Sequence, residues 1–398
     1  MDLRIFPGKL TGQTAAIPSK SQAHRLLICA ALADGPTQLH CAQSNRDLDA
    51  TAACLNALGA EVRATETGFS VRPMEHIPAK ATLPCGESGS TLRFLLPLAA
   101  ALGVEATFRL EGRLPQRPLS PLWEELERKG CQLCRPTPDT ILCRGQLQPG
   151  SFRLSGSVSS QYFTGLMLAL PLLCGSSRLL VQGQLESKPY VDMTRQTLAL
   201  FGVQADLGEI QGFQRYLSPG RVTVEGDWSN AAFFLTAQAL GSPVSVTGLN
   251  PDSAQGDREI GNLLQSMETC STISGAQIPD LIPILAVFAA CRQGAVFTHI
   301  QRLRMKESDR VASTLAMITA LGGHGWADAD TMTISGTGLT GGQVDAHNDH
   351  RIAMASAIAA TCCSQPVILL DAQCVQKSDP HFWEVYAQLG GQYEQYLR

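Results

Sequence analysis

The 398-residue sequence has no run of about 18 uncharged apolar residues, so nothing in it reads as a membrane-spanning helix. It is also sparing with charge: Asp, Glu, Lys and Arg make up 17% of the chain, below the usual share of a soluble protein. The net charge of -4 provides no basic excess for nucleic acid or a membrane surface. Aromatic residues reach only 6%, too few for a base-stacking platform. Any anion must therefore be held by a local cluster of Lys and Arg. The opening MDLRIFPGKL has neither an apolar signal core nor the Arg- and Ser-rich character of a transit peptide, and a cytoplasmic location is expected.

The familiar chemical motifs are missing too. No Walker phosphate loop, H-E-x-x-H pair or G-x-S-x-G elbow occurs. Cys131-x-x-Cys134 with Cys143 has no fourth ligand and no nearby His, so it reads as small apolar residues on strands. The thirteen cysteines read as reduced core thiols. Gly336, Gly338 and Gly341 form G-x-G-x-x-G, but the pattern leads into QVDAHNDHR and not into an apolar helix. A glycine-rich hairpin or turn is expected there, not a dinucleotide site. No cofactor and no metal are expected.

What the chain does have is length, apolar content and repetition. At 398 residues it exceeds the size of one hydrophobic core, and 44% of it is apolar, so two domains are expected. Six times a strand-like stretch ends in a small polar turn and opens an Ala/Leu-rich helix, beginning at Ser19, Ser88, Ser159, Ser229, Pro279 and Asn348. A second, amphipathic helix follows, closing on a glycine at Gly59, Gly130, Gly202 and Gly322. Each copy reads as strand, helix, strand, helix, strand, strand, an α/β pattern. Six copies divide into three plus three, and VEGDWSN, around residues 224–230, marks the crossover.

The beginnings of the first helices carry the chemistry. A helix N-terminus offers unpaired N–H groups and partial positive charge, which suits phosphate or carboxylate. Lys20, Ser21 and Arg25 stand at the first such start, and Gly89, Ser90 and Arg93 at the second. Ser159, Ser160 and Gln161 open the third, and His350 and Arg351 the sixth. Singly, each has an ordinary structural reading: Ser19-x-x-Gln22 is a capping box, and Arg25 or Arg93 could lie along the surface of its own helix. Their recurrence at equivalent positions favours a site for a multiply anionic ligand. Arg117, Lys188, Lys306, Arg310 and Lys377 lie in polar segments that could add to it. Glu307, beside Lys306 and near Arg310, is a candidate acid/base. Asp280 is either a helix cap or a carboxylate aimed into the site.

The ordered segments PSKSQAHR, GESGSTLR, RLPQRP, GSVSSQY, SKPY, VEGDWSNAAFF, IPD, RMKESDR, NDHRIAMA and KSDPHFW resemble the 5-enolpyruvylshikimate-3-phosphate synthase family over essentially the whole chain. The resemblance implies two similar inside-out α/β barrel domains, each of three βαβαββ units. Their expected extents are 18–226, and 1–17 with 227–398, with the active site in the cleft between them. It implies that Lys20, Ser21, Arg25, Ser159, Ser160, Gln161, Ser187, Asp280 and Lys306 bind shikimate 3-phosphate. Lys20, Gly89, Arg117, Gln161, Arg310, Arg351 and Lys377 are implied for phosphoenolpyruvate. Glu87 and Arg302 stand where many relatives have Asn, and KSDP lacks the aromatic that often follows the serine. A monomer is expected.

The implied reaction is carboxyvinyl transfer to the 5-hydroxyl of shikimate 3-phosphate, with release of phosphate through a tetrahedral intermediate. Asp280 is expected to take the hydroxyl proton, Glu307 to shuttle the C3 proton, and Lys20 or Lys377 to assist the leaving phosphate. Glyphosate is an expected inhibitor, since Gly89, where a methyl would crowd it, is retained. Transfer to a UDP-amino sugar is the nearest alternative, but Lys20-Ser21 replaces that enzyme's typical Lys-Asn pair and RLPQRP contains no cysteine. A non-enzymatic module for RNA or phosphorylated ligands is a further alternative, disfavoured by the charge and aromatic content.

Overall fold

The computed structural model describes residues 1–269 and 272–397. The chain divides into two compact units, Pro18–Glu225 and Met1–Ile17 together with Gly226–Arg398. Strands β1 (Leu3–Ile5) and β2 (Gly12–Ala15) come first. The first copy follows as α1 (Lys20–Leu32), β3 (Thr37–His40), α2 (Arg46–Ala57), β4 (Glu61–Thr65) and β5 (Gly68–Arg72). The second is β6 (Lys80–Gly86), α3 (Gly89–Ala101), β7 (Glu105–Leu110), α4 (Leu122–Arg128), β8 (Cys131–Thr137) and β9 (Thr140–Gly145). The third is β10 (Ser151–Ser155), α5 (Ser160–Ala169), β11 (Ser177–Gln182), α6 (Lys188–Leu200) and β12 (Gly208–Ile210), followed by β13 (Arg221–Thr223). The fourth contains α7 (Trp228–Ala239), β14 (Val244–Thr247) and α8 (Ile260–Ser266). The fifth is β15 (Thr272–Ser274), α9 (Ile282–Cys291), β16 (Gly294–Thr298), α10 (Arg310–Ala320), β17 (Gly325–Ala327) and β18 (Thr331–Ser335). The sixth is β19 (Gly342–Asp345), α11 (His350–Ala360), β20 (Val367–Leu370), α12 (Phe382–Gln388) and β21 (Tyr393–Gln395).

The second and fifth copies show the complete sheet. There β6 runs parallel to β7, which pairs antiparallel with β9, and β9 with β8. Strands β15, β16, β18 and β17 repeat this order. Other copies borrow strands. The first copy takes its opening strand from the far end of its unit, with β13 parallel to β3. The fourth takes β2, parallel to β14, and the sixth takes β1, antiparallel to β20 and β21. The opening segment is thus held in its unit by two different sheets. The third sheet has three strands, β10, β11 and β12, fewer than the repeat pattern predicts.

The first helices of the copies are largely buried, although Gln238 of α7 is exposed. Every residue of α11 is buried, as is all of α3 except Ser90. Close helix approach explains one glycine. A Cβ on Gly165 in α5 would lie 2.2 Å from the carbonyl oxygen of Arg93 in α3. Pro97 has no N–H for that carbonyl to accept, so only a bare backbone can lie against it. Two apolar cores result, one in each unit.

Some local expectations need correction. Ser19 accepts from the Gln22 N–H, but the Gln22 side chain accepts from the Glu225 N–H, so the capping box is only half made. The G-x-G-x-x-G segment is no hairpin: it joins β18 to β19, which belong to different sheets. Cys131 and Cys134 are three apart on β8, so the pleat sends them to opposite faces, one buried and one exposed. Among the described residues, no helix is long and apolar enough to cross a membrane.

Candidate active site

In the unit Pro18–Glu225, three helix starts carry polar and basic groups on an otherwise apolar frame. Ser19, Ser88 and Ser159 cap α1, α3 and α5, each accepting a hydrogen bond from a first-turn N–H. Buried hydroxyls tie the starts together. His24 Nδ1 lies 2.8 Å from Thr51 Oγ1, Thr51 lies 2.7 Å from Thr91, and the Thr91 hydroxyl donates to Ser88. Burial, then Lys20 and Arg25, hold the His24 pKa well below its usual value, so this ring is a neutral strut and not a further cation.

Arg25 is 2% exposed. Its guanidinium donates to Thr194 Oγ1 at 2.8 Å and to Thr164 Oγ1 and the Tyr190 carbonyl at 3.1 Å, and also to the Ser21 carbonyl. All these acceptors are neutral, and burial pulls its pKa down to about 10. A buried cation held by neutral groups is a favourable partner for an anion. Lys20 differs, because its Nζ pairs with Asp47 at 3.0 Å.

Gly89 shows why the second start needs glycine. A Cβ there would lie 2.8 Å from Arg117 Nη1 and 3.0 Å from Arg93 Nη1, so two guanidinium groups converge on the first turn of α3. Arg93 donates to Gln161 Oε1 at 2.7 Å, and Gln161 Nε2 donates to Ser90 at 3.0 Å, joining the α3 and α5 starts. Ser187 adopts φ 52° and ψ 40° before α6. Its segment is bonded to the approach to Ser159 through Gly156 N to the Gln182 carbonyl and Glu186 N to the Gly156 carbonyl.

In the other unit, charge is concentrated and compensated. Arg310, only 1% exposed, opens α10 and meets three carboxylates. Its Nη1 lies 2.7 Å from Asp280, its Nη2 2.6 Å from Glu307 and its Nε 2.8 Å from Asp349. Burial alone would lower its pKa, but Asp349, Glu307 and Asp280 raise it above the usual range. Asp280 also receives Lys306 at 3.4 Å and Arg351 at 3.2 Å. Burial opposes its ionisation, yet Arg351, Lys306 and Arg310 hold its carboxyl well below the usual range. Lys306 is brought down to about 8, chiefly by burial, with Arg310 and Arg302 adding to the effect. Lys377 Nζ donates to the Asn348 carbonyl at 2.8 Å.

Asp280 is not the cap of its helix. Leu281, not Asp280, occupies the cap position of α9, and the Asp280 carboxylate is spent on cations. Arg25 and Arg93 are both buried, so neither is a surface side chain. Lys188 stands apart, its half-exposed ammonium paired with Asp192 one turn along its own helix. Sequence reasoning missed Asp349, which is fully buried, caps α11 and bonds Arg310 and Ser308. Its place just before the helix in NDHR was the available signal. Asp257 was also missed. It is 1% exposed, accepts from the Ser229 hydroxyl and has no partner on Oδ1 among the described residues. Burial and the charge of Asp280 push its pKa up to about 7 against Arg351 and Ser229.

A family model for EPSP synthase (3-phosphoshikimate 1-carboxyvinyltransferase) matches residues 6–386. The chain belongs to the EPSP synthase family. Curated members from Clostridium kluyveri and Clostridium beijerinckii, both named 3-phosphoshikimate 1-carboxyvinyltransferase, are 38% and 37% identical. The first alignment covers 98% of both chains and the second 99% of both. The fold is shared with an EPSP synthase from Acinetobacter baumannii, at a TM-score of 0.81 and 22% identity over 99% of both chains. It is shared too with the enolpyruvyl transferase NikO from Streptomyces tendae, at 0.75 and 17% identity, over 99% of this chain and 98% of that one. The two-domain enolpyruvyl transferase fold of the EPSP synthase family is therefore the fold of this chain.

Proposed function

We propose that the chain transfers the carboxyvinyl group of phosphoenolpyruvate to the 5-hydroxyl of shikimate 3-phosphate, releasing phosphate. The observation that carries this reading, beyond family membership, is the contrast between the two charged groups of residues. One unit holds Arg25 buried among neutral acceptors, and the other holds Arg310 among three carboxylates. Anion binding and proton transfer are the two demands of the reaction.

Lys20, Ser21, Arg25, Ser159, Ser160, Gln161 and Ser187 bind shikimate 3-phosphate in this account, and Lys306 and Asp280 meet its hydroxyls. Lys20, Gly89, Arg117, Gln161, Arg310, Arg351 and Lys377 serve phosphoenolpyruvate. The 5-hydroxyl oxygen bonds to C2 as Asp280 takes its proton, while Glu307, protonated before this step, gives its proton to C3. The C2–O bond to phosphate then breaks and Glu307 recovers the C3 proton, leaving the enol ether. Cations fixed in advance around the developing charge lower the barrier. Lys20 or Lys377 assists the departing phosphate.

Substrate anions would draw Arg310, Arg351 and Lys306 away from Asp280 and raise its basicity at the moment the base is needed. The test is product analysis with both substrates: one phosphate and one enol ether, visible by its vinyl protons, should form per phosphoenolpyruvate consumed. Glu307→Gln should lower kcat about 100-fold or more. Near-normal turnover of that variant would refute the assignment of Glu307. Glyphosate should inhibit in competition with phosphoenolpyruvate.

A further inference from the structure

Four helices of one unit hold the Arg25 guanidinium. Its own helix, α1, supplies the Ser21 carbonyl, α5 supplies Thr164, and α6 supplies Thr194 and the Tyr190 carbonyl. From α3, the Phe94 ring lies against the guanidinium, with Cζ 5.0 Å from the ring centroid. Such a contact fixes the plane of the guanidinium, while hydrogen bonds along its edge fix its rotation within that plane. Thr164 and Thr194 are fully buried, on helix faces where an apolar residue is the ordinary occupant. Packing alone would be served by valine, so the two hydroxyls call for another reason.

The acceptors settle where the hydrogens go. The Tyr190 carbonyl can only accept, so the Thr194 hydroxyl donates to it, at 2.8 Å. Thr164 Oγ1 lies 2.9 Å from Thr194 Oγ1 and must be the donor between the two. Thr194 Oγ1 is then left to accept from Arg25 Nε at 2.8 Å, and Thr164 Oγ1 to accept from Nη2 at 3.1 Å. Nη2 gives its second hydrogen to the Tyr190 carbonyl. Nη1 gives one hydrogen to the Ser21 carbonyl and keeps one more. None of these acceptors is an acid, so the direction of the guanidinium is fixed without cancelling its charge.

We propose that Thr194, supported by Thr164, is a positioning residue for shikimate 3-phosphate. The pair of hydroxyls locks the Arg25 guanidinium so that a hydrogen on Nη1 is left for the substrate anion. This inference rests on the reading of Arg25 as a binding residue for that substrate. Valine at 194 differs from threonine by the missing oxygen, which strands the buried Nε hydrogen and releases the guanidinium to turn. No proton transfer is assigned to Arg25, so the loss falls on substrate binding and not on the chemical steps.

Steady-state kinetics and calorimetric titration with shikimate 3-phosphate provide the test. Thr194→Val should raise the KM and Kd for shikimate 3-phosphate about tenfold or more. Its kcat and its KM for phosphoenolpyruvate should stay within about twofold. Thr164→Val should shift the same two constants in the same direction, less strongly, because it removes the longer bond. Thr194→Ser, which keeps the oxygen, should restore them. Arg25→Gln separates the inference from the reading beneath it, and should raise the Kd further than Thr194→Val. An unchanged Kd in Arg25→Gln would refute Arg25 as a ligand and the inference with it. A raised Kd in Arg25→Gln with an unchanged one in Thr194→Val and Thr164→Val would overturn the inference alone. So would a Thr194→Val protein that melts earlier yet binds shikimate 3-phosphate normally.

Discussion

Asp257 and Lys306 are the side chains whose titration the protein has altered most usefully. An unfolded Asp titrates near 3.9, while folded Asp257 titrates at about 7, raised by burial and Asp280. Between those values the folded chain holds a proton that the unfolded chain has lost, so this residue's contribution to stability falls as pH rises. Asp257→Asn should therefore stabilise the protein by about 1–3 kcal/mol at pH 8 and by little at pH 4. Chemical denaturation at both pH values checks this; an equal difference at both would count against it. Lys306, lowered to about 8 mainly by burial, loses its charge just above neutrality. The plot of kcat/KM against pH should accordingly fall through about 8, and Lys306→Arg should move that limb upward.

These two behaviours were not legible in the sequence. Lys306, Glu307 and Arg310 stood out because charge is dense in RMKESDR. Asp257 lies in QGDRE, which reads as an ordinary solvated stretch. Only the folded chain buries it against Ser229 and within the field of Asp280.

Helix starts set the next scale. The glycine that opens α3 leaves room for Arg117 and Arg93, whose guanidinium ends would meet an added methyl. Only the far ends of side chains would have to move, and in a helix interior alanine is the better helix former by about 1 kcal/mol. Gly89→Ala should thus leave the melting temperature unchanged or slightly raised. The KM for phosphoenolpyruvate should rise about tenfold or more as the guanidiniums are displaced, and glyphosate should bind more weakly. A loss of stability with an unchanged KM would contradict this role. The helices themselves were legible because their caps and apolar periods are local properties. The exchange of strands was not. Pairing of β13 with β3, or of β1 with β20, joins residues far apart in sequence, and no turn signal encodes it.

For the whole molecule, sixfold repetition and family motifs in the sequence point to the enolpyruvyl transferase fold. The repeat pattern overstated its regularity, since among the described residues the third copy's sheet has three strands and the fourth copy's two. Physical chemistry alone reached a two-domain enzyme for small anions, while the ordered motifs named the substrates. The two units differ in their buried charge, with neutral acceptors around Arg25 in one and a carboxylate cluster around Arg310 in the other.

Phosphate release from phosphoenolpyruvate, followed in parallel reactions with shikimate 3-phosphate and with a UDP-amino sugar, tests the central claim most directly. The account predicts rapid release with shikimate 3-phosphate and only background with the amino sugar. Release that follows the UDP-amino sugar, or release with neither acceptor, would contradict it.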